Sequence, residues 1–294
     1  MKYFEKHPMT MLAIGVLGVS LSAIFVKFSQ APSAVTAAYR LLWTLVLMSP
    51  VIWFKQENRK ELFSTDPRTV RLCIISGIFL AMHFTLWFES LKHTSVASST
   101  SIGCTEVIWV AIGFCLFLKG RLSKKAVLAI AVTLAGSTII ALSDSTSGGG
   151  GHLYGDILAL LSAIAVAVYT LIGRIARSST STSIYTNIVY SVCAATLLIF
   201  TLIQGYSLTA YGLNAVVVGF LLALFCTIMG HSVFSWCLKY LSPAFVAAAK
   251  LCEPVIAAIL AIFLFQEIPG ITQVIGSVII LSGVIYYSRI ENGK

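Results

Sequence analysis

Leu91-Lys92-His93-Thr94-Ser95, followed by Glu106, returns 147 residues later as Leu238-Lys239-Tyr240-Leu241-Ser242, followed by Glu253. The same shift, without a gap, lays Leu134 and Gly136 on Leu281 and Gly283. Weaker pairs are Lys27 with Arg174, Arg40 with Asn187 and Trp43 with Tyr190. A chance alignment of apolar segments does not explain matched polar residues held in one register. The shift is half of the 294-residue chain, so the sequence reads as two repeats, 1–146 and 147–294. The one obvious flexible linker, Gly148 to Gly151, sits at their junction.

Composition says what the repeats are made of. Only 11% of residues are charged and 58% are apolar, against about a quarter charged in a soluble domain. The mean hydropathy is +0.92. Too little polar surface is left to cover a water-soluble particle, and the lipid bilayer is the alternative solvent. A bilayer core of roughly 30 Å needs about 20 apolar residues per helix. Breaks at charges, Pro and Gly clusters place spans near 8–28, 33–54, 70–91, 94–118 and 123–142, then 152–175, 182–203, 213–237, 243–265 and 270–288. The expected fold is therefore an all-α integral membrane protein of ten transmembrane helices in two five-helix repeats. Five is odd, so the second repeat enters the membrane upside down. Inverted repeats are a recurrent transporter architecture, with the binding site near the midplane between the repeats.

Charge sets the orientation. With the N-terminus in the cytoplasm, sixteen Lys and Arg fall inside and only Lys27 and Lys92 fall outside, while Arg40 and Lys250 lie within spans. One missed helix would invert every later loop. The expectation is a multi-pass protein of the cell membrane with both termini cytoplasmic, its first helix uncleaved.

The chain resembles the EamA branch of the drug/metabolite transporter superfamily. The resemblance rests on Ala31-Pro32-Ser33 to Tyr39-Arg40, Glu106 to Trp109, and Gly230-His231-Ser232 to Trp236. It continues through Leu238-Lys239-Tyr240-Leu241, Leu251-Cys252-Glu253-Pro254 and Gln266-Glu267, the last standing where the family commonly has Gly-Glu. It covers nearly the whole chain. It implies a secondary carrier, often an exporter, that works by alternating access around a central cavity. It leaves the substrate open among amino acids, amines, nucleosides and other metabolites.

Ionisable groups inside a bilayer are expensive and so are functional candidates. Glu106 and Glu253 lie near the middle of the fourth and ninth spans, at repeat-related positions. Either can bind a cation, hold a proton, or fix helix packing. Glu106 has no basic residue within a turn on its own helix, whereas Lys250 sits three residues before Glu253 and is expected to neutralise it. Glu106 is thus the expected substrate-or-proton site. Pro254 removes a backbone donor and exposes the carbonyl one turn back. Arg40, two turns into the second span, either pairs with a carboxylate or meets a substrate anion. Glu89 reads as half of an interfacial pair with Lys92. Five hydroxyls (Ser95, Ser98, Ser99, Thr100, Ser101) suggest tight packing or one wall of a wet cavity.

Aromatic residues supply the other expected wall. His83 and Trp87 share a face of the third span at i and i+4, as do Tyr39 and Trp43 on the second, and His231 lies in the eighth. Trp109 follows Glu106. Aromatic rings attract a cation and a carboxylate fixes its charge, which suits an amine or the ammonium of an amino acid. Arg40 or Lys250 would then take a carboxylate.

Other classes fit less well. No HExxH motif or Walker A pattern occurs, so an intramembrane enzyme and ATP hydrolysis by this chain are both disfavoured. No filter loop suggests a channel. The formal charge of +9 lies in loops between apolar runs rather than in a basic stripe, so nucleic acid is not an expected partner. The seven cysteines form no CxxC pair or metal spacing and read as small hydrophobes. No cofactor and no metal is expected. The partners are a small solute and the bilayer, for a monomer or homodimer.

Overall fold

Helices begin where polar residues can satisfy the first backbone donors. Asp66 shows this: its Oδ1 accepts from the backbone N–H groups of Arg68 and Thr69, each at 3.0 Å, with Pro67 at the first helical position. The hydrogen bonds from Thr69 hold its carboxyl below the usual carboxylate range. Ser181 and Ser242 cap in the same way, accepting from Ile184 and Phe245.

The structure, a computed structural model, describes residues 7–94, 96–144, 153–256, 259–260 and 270–292. Its helices are α1 (Pro8–Lys27), α2 (Ser33–Trp53), α3 (Gln56–Ser64), α4 (Pro67–His93), α5 (Val96–Gly103) and α6 (Glu106–Leu116). Then come α7 (Lys124–Asp144), α8 (Leu153–Ala176), α9 (Thr182–Ile203), α10 (Gly212–Cys237), α11 (Pro243–Ala249) and α12 (Ile271–Asn292). No strand occurs among the described residues. Seven described stretches are long and apolar enough to cross a bilayer: α1, α2, α4, α8, α9, α10 and the Val274–Glu291 part of α12. The linker Gly148 to Gly151 and residues 261–269, with Gln266-Glu267, lie outside the described residues.

Packing follows the repeat. α4 lies along α8 and α1 along α10, two pairs that the 147-residue shift exchanges. α2 packs on α9, and α7 on α12, pairs that the shift maps onto themselves. The matched glycines explain the last pair. A Cβ on Gly136 of α7 would stand 2.8 Å from the backbone oxygen of Gly276 in α12, and one on Gly283 would meet Thr133 and the Ala129 oxygen of α7. Small residues let helix backbones approach closely where lipid supplies no hydrophobic drive between helices. Gly136→Ala should therefore lower stability by about 1–3 kcal/mol, because a backbone oxygen cannot step aside. Thermal unfolding in detergent reads this as a lower melting temperature; an unchanged midpoint would show that the two helices separate without cost.

Two features depart from the sequence expectation. The span expected over 94–118 is not continuous: α5 ends at Gly103 and α6 starts at Glu106, with Thr105 N–H bonded to the Ile102 oxygen three residues back. The polar loop after α2 also folds, as α3, whose Glu61 accepts from Thr180 Oγ1 (2.9 Å) and Ser181 N (2.6 Å).

The break has a counterpart. α11 runs into a 3-10 turn at Lys250–Cys252, and the shift carries Cys104-Thr105 onto Leu251-Cys252. Each break presents a glutamate at the start of the helical run that follows, Glu106 and Glu253. The Lys250 carbonyl that Pro254 deprives of its usual donor is not exposed, since it accepts from the Glu253 N–H. A third irregularity is the π-helical stretch Leu222–Ser232 within α10, which carries Thr227 and His231. Local 3-10 and π geometry inside helices is commonly associated with function.

Candidate functional site

The breaks of both repeats and the π stretch meet at one cavity, which encloses about 700 Å³ including the open solvent at its mouth. Arg40, His83, Trp87, Glu106, His231, Lys250 and Glu253 all line it, so seven of the ten expected site residues come together.

At its centre is an ion pair that local sequence order does not show. Lys250 Nζ donates to Glu106 Oε1 at 2.8 Å and Oε2 at 3.1 Å, so both carboxylate oxygens are engaged. The two side chains are 11% and 10% exposed. Thr170 of α8 adds a longer contact to Oε1 at 3.4 Å. This corrects the expectation that Lys250 neutralises Glu253 on its own helix. Lysine before glutamate is the weaker order for a pair on one helix. Glu106, at the first position of α6, also gains from the helix dipole and accepts the cation from across the repeats. The lysine lies 5.1 Å from the centroid of the Phe234 ring. Glu253 forms no ion pair within 4.0 Å among the described residues.

Arg40 is a second correction. Its guanidinium pairs with no carboxylate among the described residues. Instead it stands 4.1 Å over the Phe84 ring, an interaction of roughly 1–2 kcal/mol when desolvated. Nε donates to Thr227 Oγ1 at 2.7 Å and Nη1 reaches Ser22 Oγ at 3.5 Å, while the buried Nη2 has no partner among the described residues. His83 is fixed differently: its Nδ1 lies 2.8 Å from Ser162 Oγ and its ring stacks on Trp87. His231 sits among Phe84, Tyr169, Phe234 and His83, with its buried Nδ1 unpartnered.

Tyr39, Trp43 and Trp109 do not line the cavity. Tyr39 and Trp43 share the α2 face that lies about 60–100° round the helix from Arg40. Accordingly Tyr39 donates to the Leu208 carbonyl at 3.0 Å, and Trp43 packs edge-on against Phe220 of α10. Trp109 is 36% exposed, beside the outward stripe Ile108, Ile112 and Leu116. Of the hydroxyl run, Thr100 lines the cavity and Ser99 hydrogen-bonds Ser90, whereas Ser95, and the side chains of Ser98 and Ser101, lie outside what is described. Glu89 pairs with Lys92 at 3.3 Å and His93 at 3.2 Å on an exposed surface, away from the cavity.

Sequence reasoning missed Phe84, Ser22, Thr227 and Thr170. The shift held the signal for the first: it lays Phe84 on His231, and also Trp87 on Phe234, so the aromatic floor of the cavity is itself repeated. Ser22, Thr227 and Thr170 are small hydroxyls whose roles exist only through the partners the fold brings to them. Among the described residues no three His, Cys, Asp or Glu converge as a metal site, and all seven cysteines are free.

Known proteins share the fold and the family. A solved crystal structure superposes with a TM-score of 0.77 over 98% of each chain at 16% identity, a likeness of fold. An uncharacterized transporter of Clostridium kluyveri is 25% identical over 268 residues, 89% of this chain and 85% of that one. Another, from Archaeoglobus fulgidus, is 22% identical over 93% of this chain and 94% of its own. CMP-sialic acid transporter 1 of Arabidopsis thaliana is 28% identical over 141 residues, 44% of this chain and 41% of that protein. The EamA-like transporter family matches residues 8–142 and again 153–289, one match to each half. The chain belongs to the EamA-like transporter family and is a multi-pass membrane transporter of small solutes.

Proposed function

We propose that this transporter is a secondary carrier of an amino acid or amine. It works by alternating access between two inverted five-helix repeats, 1–146 and 147–294, and protons couple to the movement. The observation that carries the reading is the Glu106–Lys250 ion pair, which joins the two repeats across the cavity. A site whose charges come from both repeats changes its geometry whenever the repeats rock against each other. Helices interrupted at repeat-related positions support the same reading, because broken spans that line a cavity are where such carriers bind their solutes.

The chemistry of the walls narrows the solute. The aromatic rings of Trp87 and Phe234 line the cavity together with Glu253, a combination that suits an ammonium. Arg40 and Lys250 balance Glu106 and Glu253, so with neutral imidazoles the cavity has no net formal charge and suits a solute that is neutral overall. A zwitterionic amino acid meets both conditions. Ten helices enclose the site within one chain, as a monomer or as each half of a homodimer. The excess of Lys and Arg in alternate loops supports cytoplasmic termini for a protein of the cell membrane.

Counterflow tests the reading. Liposomes containing the purified protein and loaded with unlabelled amino acids or amines should accumulate the corresponding labelled solute, with saturation and without conductance. Conductance without counterflow would replace the carrier by a channel, and counterflow of nucleosides alone would overturn the solute class.

A further inference from the structure

Two buried polar atoms of the cavity have no hydrogen-bond partner among the described residues: Nη2 of Arg40, a residue 1% exposed, and Nδ1 of His231, a residue 6% exposed. They are neighbours. The Arg40 guanidinium lies 4.1 Å from the centroid of Phe84, and the His231 ring meets the same Phe84 edge-on at 5.2 Å. Both line the cavity.

Neither group is there by default of something better. Thr227 and Ser22 hold one side of the guanidinium and leave its outer nitrogen free. His231 is enclosed by the rings of Phe84, Phe234, Tyr169 and His83; the first two carry no polar atom, the Tyr169 hydroxyl is engaged with Ser235, and His83 Nδ1 with Ser162. The carboxylates do not fill the gap, since Glu106 is held by Lys250 and no carboxylate pairs with Arg40 among the described residues. Buried polar atoms are nearly always satisfied, so two such orphans beside one ring, with His231 in its Nδ1–H tautomer, point to an acceptor supplied from the cavity.

We propose that Arg40 and His231 form an anion subsite that takes a carboxylate of the transported solute, one oxygen on Arg40 Nη2 and the other on His231 Nδ1–H. A carboxylate fits better than a phosphate. Only two unpartnered groups are offered, and the two cations (Arg40, Lys250) and two carboxylates (Glu106, Glu253) of the cavity balance in formal charge, so a monoanion that brings its own ammonium leaves the interior uncharged. A phosphate dianion does not. The guanidinium suits the task because its charge is permanent and its donors are planar, which an ammonium cannot reproduce. The subsite deepens the transport reading above by dividing the labour: Arg40 and His231 hold the acid group, while Lys250 is committed to Glu106.

Anion binding is measured without transport, so failure of one idea is separable from failure of the other. The melting temperature of the detergent-purified full chain is followed as sodium acetate or phosphate replaces chloride at constant ionic strength. Acetate should raise it in a saturable way. The apparent acetate affinity should fall more than about ten-fold in Arg40→Gln and about three-fold in His231→Phe, the losses expected for a charged and a neutral hydrogen bond. Arg40→Lys should recover only part. The melting temperature of each variant in chloride alone shows whether it is folded, and His231→Phe, an apolar exchange within an aromatic cage, keeps the test available should Arg40→Gln fail to fold. No acetate effect in the wild type, or one that survives in the folded variants, would overturn the subsite. A phosphate effect without an acetate effect would overturn the carboxylate assignment.

Discussion

Lys250→Met should destabilise the protein by on the order of 3 kcal/mol, the lower end of the cost of breaking a buried ion pair. The loss is not that of the contact alone. Glu106 would remain in a cavity wall, about one-tenth exposed, with only the 3.4 Å contact from Thr170. The lower end applies because the cavity opens to solvent, which relieves part of the desolvation. A second substitution makes the prediction specific. Glu106→Gln with Lys250→Met removes both charges, leaves no ion stranded, and should recover most of the stability lost by Lys250→Met. A double-mutant cycle read by thermal or denaturant unfolding should give an interaction energy of about 1.5–3 kcal/mol. If the two changes simply add, the pair is solvated enough to be dispensable, and the link between the repeats must lie in helix packing.

Much of the fold was legible because lipid makes severe demands. With no water to satisfy the backbone, apolar runs of sufficient length must be helices, and their punctuation by Pro, Gly and charge gives their ends. The helix expected from 243 does start at Pro243, and the one expected from about 70 starts three residues earlier, at Pro67 behind the Asp66 cap. The repeat pairs were equally informative, since Gly136 and Gly283 are the close contacts of α7 with α12. The break at Cys104-Thr105 was not legible, because neither residue is one that cannot continue a helix, whereas Pro254 did signal an irregularity one turn back, where the 3-10 turn at Lys250–Cys252 lies. The membership of the cavity was legible for residues whose burial demands an explanation, such as Arg40 and Glu106. It failed for Tyr39, Trp43 and Trp109, since aromatic residues are equally at home against other helices or lipid. The partnership of Lys250 failed for a different reason. Local spacing identifies neighbours along a helix, while the actual partner, Glu106, is 144 residues away.

That partnership decides the prediction about coupling. Glu253→Gln should abolish uptake driven by a pH gradient and leave solute exchange at equal pH largely intact. From sequence, Glu106 seemed the freer carboxylate. In the structure both its oxygens are engaged by Lys250. Glu253 lines the same cavity without an ion pair among the described residues. The charged and titratable groups that share its cavity are Lys250, Glu106, Arg40, His83 and His231. A carboxylate in that position accepts a proton when it faces the acidic side and releases it when it faces the alkaline side, provided the repeats alternate. Glutamine keeps the shape but cannot carry the proton across. Exchange does not require the proton to leave, so it should persist in Glu253→Gln, while net uptake against a gradient falls to the rate of protein-free liposomes. Glu106→Gln should behave otherwise: it frees Lys250, which then has Glu253 as its remaining carboxylate, and lowers both modes together. The reverse pattern, with pH-driven uptake lost in Glu106→Gln and retained in Glu253→Gln, would place the proton on Glu106 and require Lys250 to release it in every cycle.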